Sequence, residues 1–250
     1  MIRNTILSFL FIVSSFLLKS QDINFLLGQA EQLENQKKET EALTKYQEAI
    51  RLSPNDIKAL CKISELSSIL GNRSSDKKIK SEYYIAALMY AERALKQNPL
   101  HAQANFTMGL AKAKLTEISS PKEKIQFVRE IKSYADKAIA ADPQHYPSLH
   151  LLGKWHVEVA GLSGAEKAAV KLFGGLPAAS IADAIQLFEQ VRKIRPSFIL
   201  NYLDLAKAYK LNGRSDLAID ILNKLIKLAP RSADDESYKA EGKKLLESLL

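Results

Sequence analysis

The sequence predicts an all-α chain of about five stacked helical hairpins, and three observations lead there. The first is composition. The chain is 46% hydrophobic and 26% charged, enough apolar material for a core and too much for a disordered chain. Gly and Pro total only 18 of 250 residues, too few for a turn-rich β-sandwich, a collagen or a linker protein. The second is the dominance of Ala, Leu, Lys, Glu and Gln over long stretches, all strong helix formers. The third is punctuation. Pro54, Pro99, Pro143, Pro196 and Pro230 each follow an Ala-rich or aliphatic run, EAIRLSP, ERALKQNP, DKAIAADP, EQVRKIRP and NKLIKLAP. Their separations are 45, 44, 53 and 34 residues.

The last separation equals the period of the tetratricopeptide repeat (TPR), a helix-turn-helix unit, and the others read as that period plus 11, 10 and 19 residues. Side chains fit the register. The fifth unit offers Tyr202, Leu205-Ala206, Tyr209, Ala218, Leu222 and Pro230. The first offers Leu26, Ala30, Leu33, Ala42, Tyr46, Ala49 and Pro54, and the fourth Leu149, Leu152-Gly153, Ala184, Phe188 and Pro196. The third keeps Met108-Gly109, Ala138 and Pro143, while the second, with Leu60, Ile63, Ala87, Ala94 and Pro99, matches least well. Small residues let the two helices of a unit approach, large apolar ones fill the space between units, and Pro stops each second helix. The fold class is therefore a TPR-type α-solenoid with insertions.

The elements follow in order. Residues 1–20 carry a basic start with Arg3 and a thirteen-residue apolar run, Ile6 to Leu18, before the chain turns polar at Lys19. A span needs ~20 apolar residues, so the run predicts a secretory signal peptide cut before Gln21, giving a periplasmic or secreted product; an uncleaved N-terminal membrane anchor is the alternative. Residues 21–232 form the repeat domain. Within it Gly71 to Ser75 ends a helix, and Lys77 to Lys80 leads into the next, around Ser81–Gln97. Ser119-Ser120-Pro121 starts a helix running to about Ala141, with Ser as cap and Pro in the first turn. The largest insertion runs from Gly161 to Pro177, where Ser163 caps a short helix over 164–172 that the Gly174-Gly175 pair ends. Residues 233–250 form a charged, amphipathic C-terminal capping helix.

The stretch from Leu151 to Leu222 resembles the C-terminal half of the regulator of microtubule dynamics family. The resemblance rests on Leu152-Gly153 with Trp155, Glu158-Val159, Glu166-Lys167, the Leu172-Phe173-Gly174 turn with Pro177-Ala178, and Ile185 with Phe188. It extends with less specificity over about 25–250. The inserted Phe-Gly-x-x-Pro segment is its most specific part. The resemblance implies the TPR fold. Eukaryotic members are associated with microtubules, and one membrane-anchored member handles phospholipid through its TPR domain. The apolar N-terminus departs from that pattern, and a secreted chain would not meet tubulin.

No catalytic constellation is legible. His101, His145, His150 and His156 share no i, i+4 face, and the lone Cys61 excludes a disulfide framework and a Cys-built zinc site. Gly-x-Ser-x-Gly, a phosphate-binding Gly-rich loop and a dinucleotide fingerprint are absent from the sequence. The expectation is a non-enzymatic protein with no cofactor and no metal. Lys and Arg exceed Asp and Glu by 8, spread along the chain without an aromatic-rich basic patch, which disfavours nucleic acid.

The remaining candidate is the groove lined by the first helix of each unit. The register assigns it Leu27, Glu31 and Glu34, then Lys58, Cys61 and Glu65, then Phe106, Leu110 and Ala113. His150, Lys154 and Val157 follow, and last Leu200, Leu203, Lys207 and Lys210. An apolar middle with cations toward the C-terminal end suits an acidic amphipathic helix of a partner protein; a lipid with an anionic headgroup suits it too. Phe106, Leu110, His150, Lys154, Leu203, Lys207 and Lys210 are the expected contact residues. An insertion that packs into the groove would use the same apolar positions.

Overall fold

Twelve helices follow one another in the described residues, 22–250 of a computed structural model, with no strand among them. They are α1 (22–35), α2 (Glu39–Leu52), α3 (Ile57–Arg73), α4 (Lys77–Gln97), α5 (Ala102–Leu115) and α6 (Pro121–Ala141). Then come α7 (Tyr146–Ala160), α8 (Gly164–Leu172), α9 (Ile181–Ile194), α10 (Ile199–Leu211), α11 (Ser215–Leu225) and α12 (Asp235–Glu247). The hairpins are α1–α2, α3–α4, α5–α6, α7–α9 and α10–α11, so the first helices are α1, α3, α5, α7 and α10. All five prolines fall after a second helix, as the spacing predicts. The N-terminal apolar run lies outside the described residues. No helix among those described is long and apolar enough to cross a membrane.

Proline sets the hairpin boundaries through the residue before it. Ser53, Asn98, Asp142 and Arg195 each close a helix with ψ between 75° and 100°, which is the extended backbone that a following proline imposes. Each next helix begins three residues after the proline. Asp56 caps α3 by accepting from the Ala59 N–H at 2.8 Å, and His101 Nδ1 does the same for Ala104 at 3.3 Å. His145 stands at the same place before α7 but makes no cap, and its ring turns elsewhere.

Three clusters of buried side chains fill the hairpins and the seams between them. Leu60, Ile63, Tyr46 and Ala49 anchor the first; Phe188, Tyr202, Leu205 and Leu222 the last; Trp155, Ile131 and Leu151 the middle. Trp155 donates its Nε1–H to the Val128 carbonyl at 2.7 Å, which satisfies the one polar atom it buries. Close approach demands glycine at α7. A Cβ on Gly153 would stand 2.8 Å from Cδ1 of the fully buried Phe188 ring.

The inserted residues extend helices and add one. α4 and α6 each run 21 residues against 14 for α2 and α9. Lys77 to Lys80 are the first turn of α4, not a lead-in: Asp76 accepts from the Lys78 and Ile79 N–H groups and starts the helix four residues earlier than the sequence suggested. Ser120 and Ser163 both build capping boxes, with Glu123 and Glu166, at the starts of α6 and α8. Gly174 and Gly175, at φ 90° and 76°, end α8, and Arg129 of α6 donates to the carbonyls of Phe173 and Gly175. α12 lies on α10 and α11 through Tyr238, Leu245, Leu246 and Leu249, with Gly242 against Leu225.

Candidate binding trough

Successive first helices are stitched side chain to side chain along one face. From α1 to α3, Glu31 pairs with Lys58, and Glu34 accepts from Lys62 Nζ at 3.0 Å. From α3 to α5, Gln103 Nε2 donates to Glu65, and Lys114 Nζ donates to Asn72 at 2.7 Å. From α5 to α7, His145 Nε2 lies 2.7 Å from Gln103 Oε1. From α7 to α10, Asp204 receives His150 Nε2 at 3.0 Å and Lys154 Nζ at 3.9 Å. From α10 to α12, Lys207 meets Glu241 at 2.7 Å, so α12 stands where a sixth first helix would.

The chain of donors fixes a tautomer. Gln103 gives its amide N–H to Glu65, so its carbonyl oxygen accepts from His145 Nε2–H. His145 Nδ1 then accepts from the Ser148 hydroxyl at 2.8 Å. Burial lowers the His145 pKa against the pull of Asp142, in keeping with this neutral ring. Burial also raises Glu65, opposed by Lys62. Lys62 is itself held up by Glu65 and Glu34 despite its own desolvation. Burial and the carboxylate of Glu34 push Tyr46, whose hydroxyl donates to it at 2.6 Å, far above the usual phenol range.

Beside this network opens a cavity of about 600 Å³ at the starts of α3, α5 and α7. Ile57, Cys61, Tyr146 and Pro147 give it apolar walls, and Lys58, Lys62, Glu65, His101, Gln103 and His145 give it donors and acceptors. No residue of the 161–177 insertion lines it. Burial drives the Cys61 thiol up to about 12, so it carries no thiolate at neutral pH. Among the described residues no three His, Cys, Asp or Glu side chains gather as metal ligands.

Toward the other end of the first helices the charges are matched. Burial raises Asp204, but the His150 hydrogen bond and the nearby Lys154 and Lys207 outweigh it and hold its pKa below the ordinary value. Burial lowers Lys114 and raises Glu158. Arg73, at the end of α3, donates to both carboxylate oxygens of Asp234 at 2.7 and 2.9 Å and to Glu39 at 3.2 Å. That fork ties the second hairpin to the start of α12 across 161 positions of sequence.

The residues expected at the groove divide into two sets. Lys154 and Lys207 are part-exposed, Lys210 is exposed, and Phe106 and Leu110 are half-buried. Phe106 packs at the α5–α7 seam, its ring 5.7 Å from that of His145. Leu203, by contrast, is 1% exposed inside the last core cluster, and His150 is enclosed by Phe188, Phe198 and Asp204. The fifth position of each first helix faces the neighbouring hairpin, so Cys61, His150 and Leu203 are seam residues. Sequence reasoning misses Gln103, His145, Asp204 and Glu241. Their one signal is position: Gln103 holds the second place of α5, as Lys58 does in α3.

Comparison with known proteins places this geometry. The family described as Regulator of microtubule dynamics protein 1-3 matches residues 26–250. The chain belongs to that family. Relatives include Regulator of microtubule dynamics protein 1 of Caenorhabditis elegans, 35% identical over 127 residues, covering 50% of this chain and 56% of the relative. Protein 1 of Bos taurus is 26% identical over 207 residues, with 82% and 64% covered. Protein 3 of Rattus norvegicus is 25% identical over 230 residues, with 88% and 48% covered. The chain thus spans about half to under two thirds of these relatives. Among solved structures, a thermophilic TPR protein of Thermus thermophilus superposes with a TM-score of 0.64 at 17% identity, over 89% of this chain and 99% of that one. The pilF protein of Pseudomonas aeruginosa gives 0.55 at 11%, over 92% and 93%. Both likenesses show the fold, a TPR solenoid, for this member of the family.

Proposed function

We propose that the protein is a non-enzymatic TPR scaffold that holds an extended or helical segment of a partner protein along its first helices. The carrying observation is the cavity of about 600 Å³ beside the Glu34–Lys62–Glu65–Gln103–His145 chain. Its lining alternates apolar walls with fixed donors and acceptors, which matches a peptide's alternating side chains and amides better than it matches an acyl chain. The polar groups are held by one another, so binding costs little side-chain ordering. Lys154 and Lys207 are neutralised by Asp204 and Glu241, so the attraction for an acidic helix that the lysines alone suggested is weakened there. A phospholipid in the trough is the second reading, and it predicts an acyl lipid in native mass spectra of the purified protein.

The test is capture of partners by the wild type and by trough variants. Lys58→Glu and Tyr146→Ala are expected to lose a protein that the wild type retains, while Glu92→Lys on α4 keeps it. Equal capture by all of them would overturn the proposal.

A further inference from the structure

α8 buries none of its nine residues, and an isolated helix of that length is marginal in water. Its ends are nonetheless carefully fixed, by the Ser163–Glu166 capping box at one and by the Gly174-Gly175 turn clamped by Arg129 at the other. The chain thus holds a short helix away from every core cluster. Ala165, Ala168, Ala169 and Leu172 recur at helical spacing on one face and are all exposed. Leu172 is 84% exposed, and Phe173 beside it 42%. Lys171 borders this face and Lys167 lies farther round the helix, both exposed.

Around this apolar tip exposed lysines outnumber free carboxylates. Lys122 and Lys124, in the first turn of α6, are exposed, and Lys124 is close enough for its charge to act on Glu166. Glu123 and Glu166 are folded back onto the Ser120 and Ser163 caps, and Glu158 lies within reach of the Lys124 charge. Exposed Ile85 and Met89 of α4 lie instead between Glu82 and Glu92.

We propose that α8 and the Phe173 turn form a docking surface for an anionic membrane, with Leu172 and Phe173 entering the headgroup boundary and Lys122, Lys124, Lys167 and Lys171 lying against acidic headgroups. Apolar side chains projecting between lysines on a small amphipathic helix are what interfacial binding requires. The surface is independent of the trough and stands whatever the trough holds.

The experiment is sedimentation of the protein with vesicles of phosphatidylcholine, with and without phosphatidylglycerol. Binding is expected only with phosphatidylglycerol. Lys167→Gln with Lys171→Gln weakens it about 30-fold, and Leu172→Ser with Phe173→Ser abolishes it. Lys167, Lys171 and Leu172 are exposed and Phe173 is 42% exposed, so a thermal melt of each variant beside the wild type separates lost docking from lost folding. A Phe173→Trp reporter shifts to the blue on anionic vesicles and stays unchanged on neutral ones; the native Trp155 is already buried. Three results would overturn the proposal: no association with anionic vesicles, association that survives Leu172→Ser with Phe173→Ser, or cross-linking of position 173 to a protein without vesicle binding.

Discussion

Burial at Cys61 and His145 makes two residue-scale predictions. The Cys61 thiol is 1% exposed and its pKa stands up at about 12, so a thiol reagent at neutral pH modifies the unfolded chain and leaves the native one untouched. Rapid native modification would contradict this packing. For His145 the folded pKa is lowered, so the unfolded chain binds the proton first as pH drops below ~6.5. Its contribution to stability is therefore fully present above that value and declines as pH falls toward the folded pKa. Chemical denaturation across this range should show a shallower pH slope for His145→Gln than for the wild type, and equal slopes would contradict it. Register assigns Glu31, Glu34, Lys58 and Glu65 to one face, where Glu31 pairs with Lys58, and Glu34 and Glu65 with Lys62. It assigns Leu203 and His150 with them, and these lie in seams. Helical register places a residue within some tens of degrees, and at the fifth position the neighbouring hairpin covers that arc. The partners of Lys154 and Lys207 are hidden for another reason. Asp204 sits on the next hairpin and Glu241 on α12, and no local pattern carries a contact 34 or more positions away.

The α7–α9 pair depends on a small residue at its crossing. Gly153→Ala forces the Phe188 ring to move in a core that has no room, at a cost of ~1–3 kcal/mol. Gly164→Ala in α8 meets nothing within 4 Å and has no positive φ, so it should leave the global melting temperature almost unchanged. Denaturant melts of the two variants check the contrast. Similar losses would mean that α8 is packed more tightly than described. At this scale the sequence is most readable. A capping box at the start, and a proline or a glycine pair just past the end, mark a boundary by local chemistry alone, which is why α6 and α8 begin and end as expected. The start of α4 escapes such reading because lysines in a first turn oppose the helix dipole, and the Asp76 cap overrides them.

Across the whole molecule the Arg73 fork joins the second hairpin to α12 and to Glu39 of α2. These groups are part-exposed, so a double-mutant cycle of Arg73→Ala and Asp234→Ala should give a coupling of ~0.5–1 kcal/mol, shrinking in molar salt. No coupling at low salt would mean that the fork does not hold the second hairpin to α12. The larger claim is that the first helices form one continuous surface that a partner segment occupies. It is tested most directly by placing a photo-crosslinking amino acid singly at Lys58, Gln144 and Lys154 on that surface, and at Glu82 and Glu92 on α4, then mapping the products by mass spectrometry. Cross-links from the first three positions to consecutive residues of one partner segment, and none from α4, are the predicted result. Cross-links confined to α4, or to unrelated segments at each position, would contradict it.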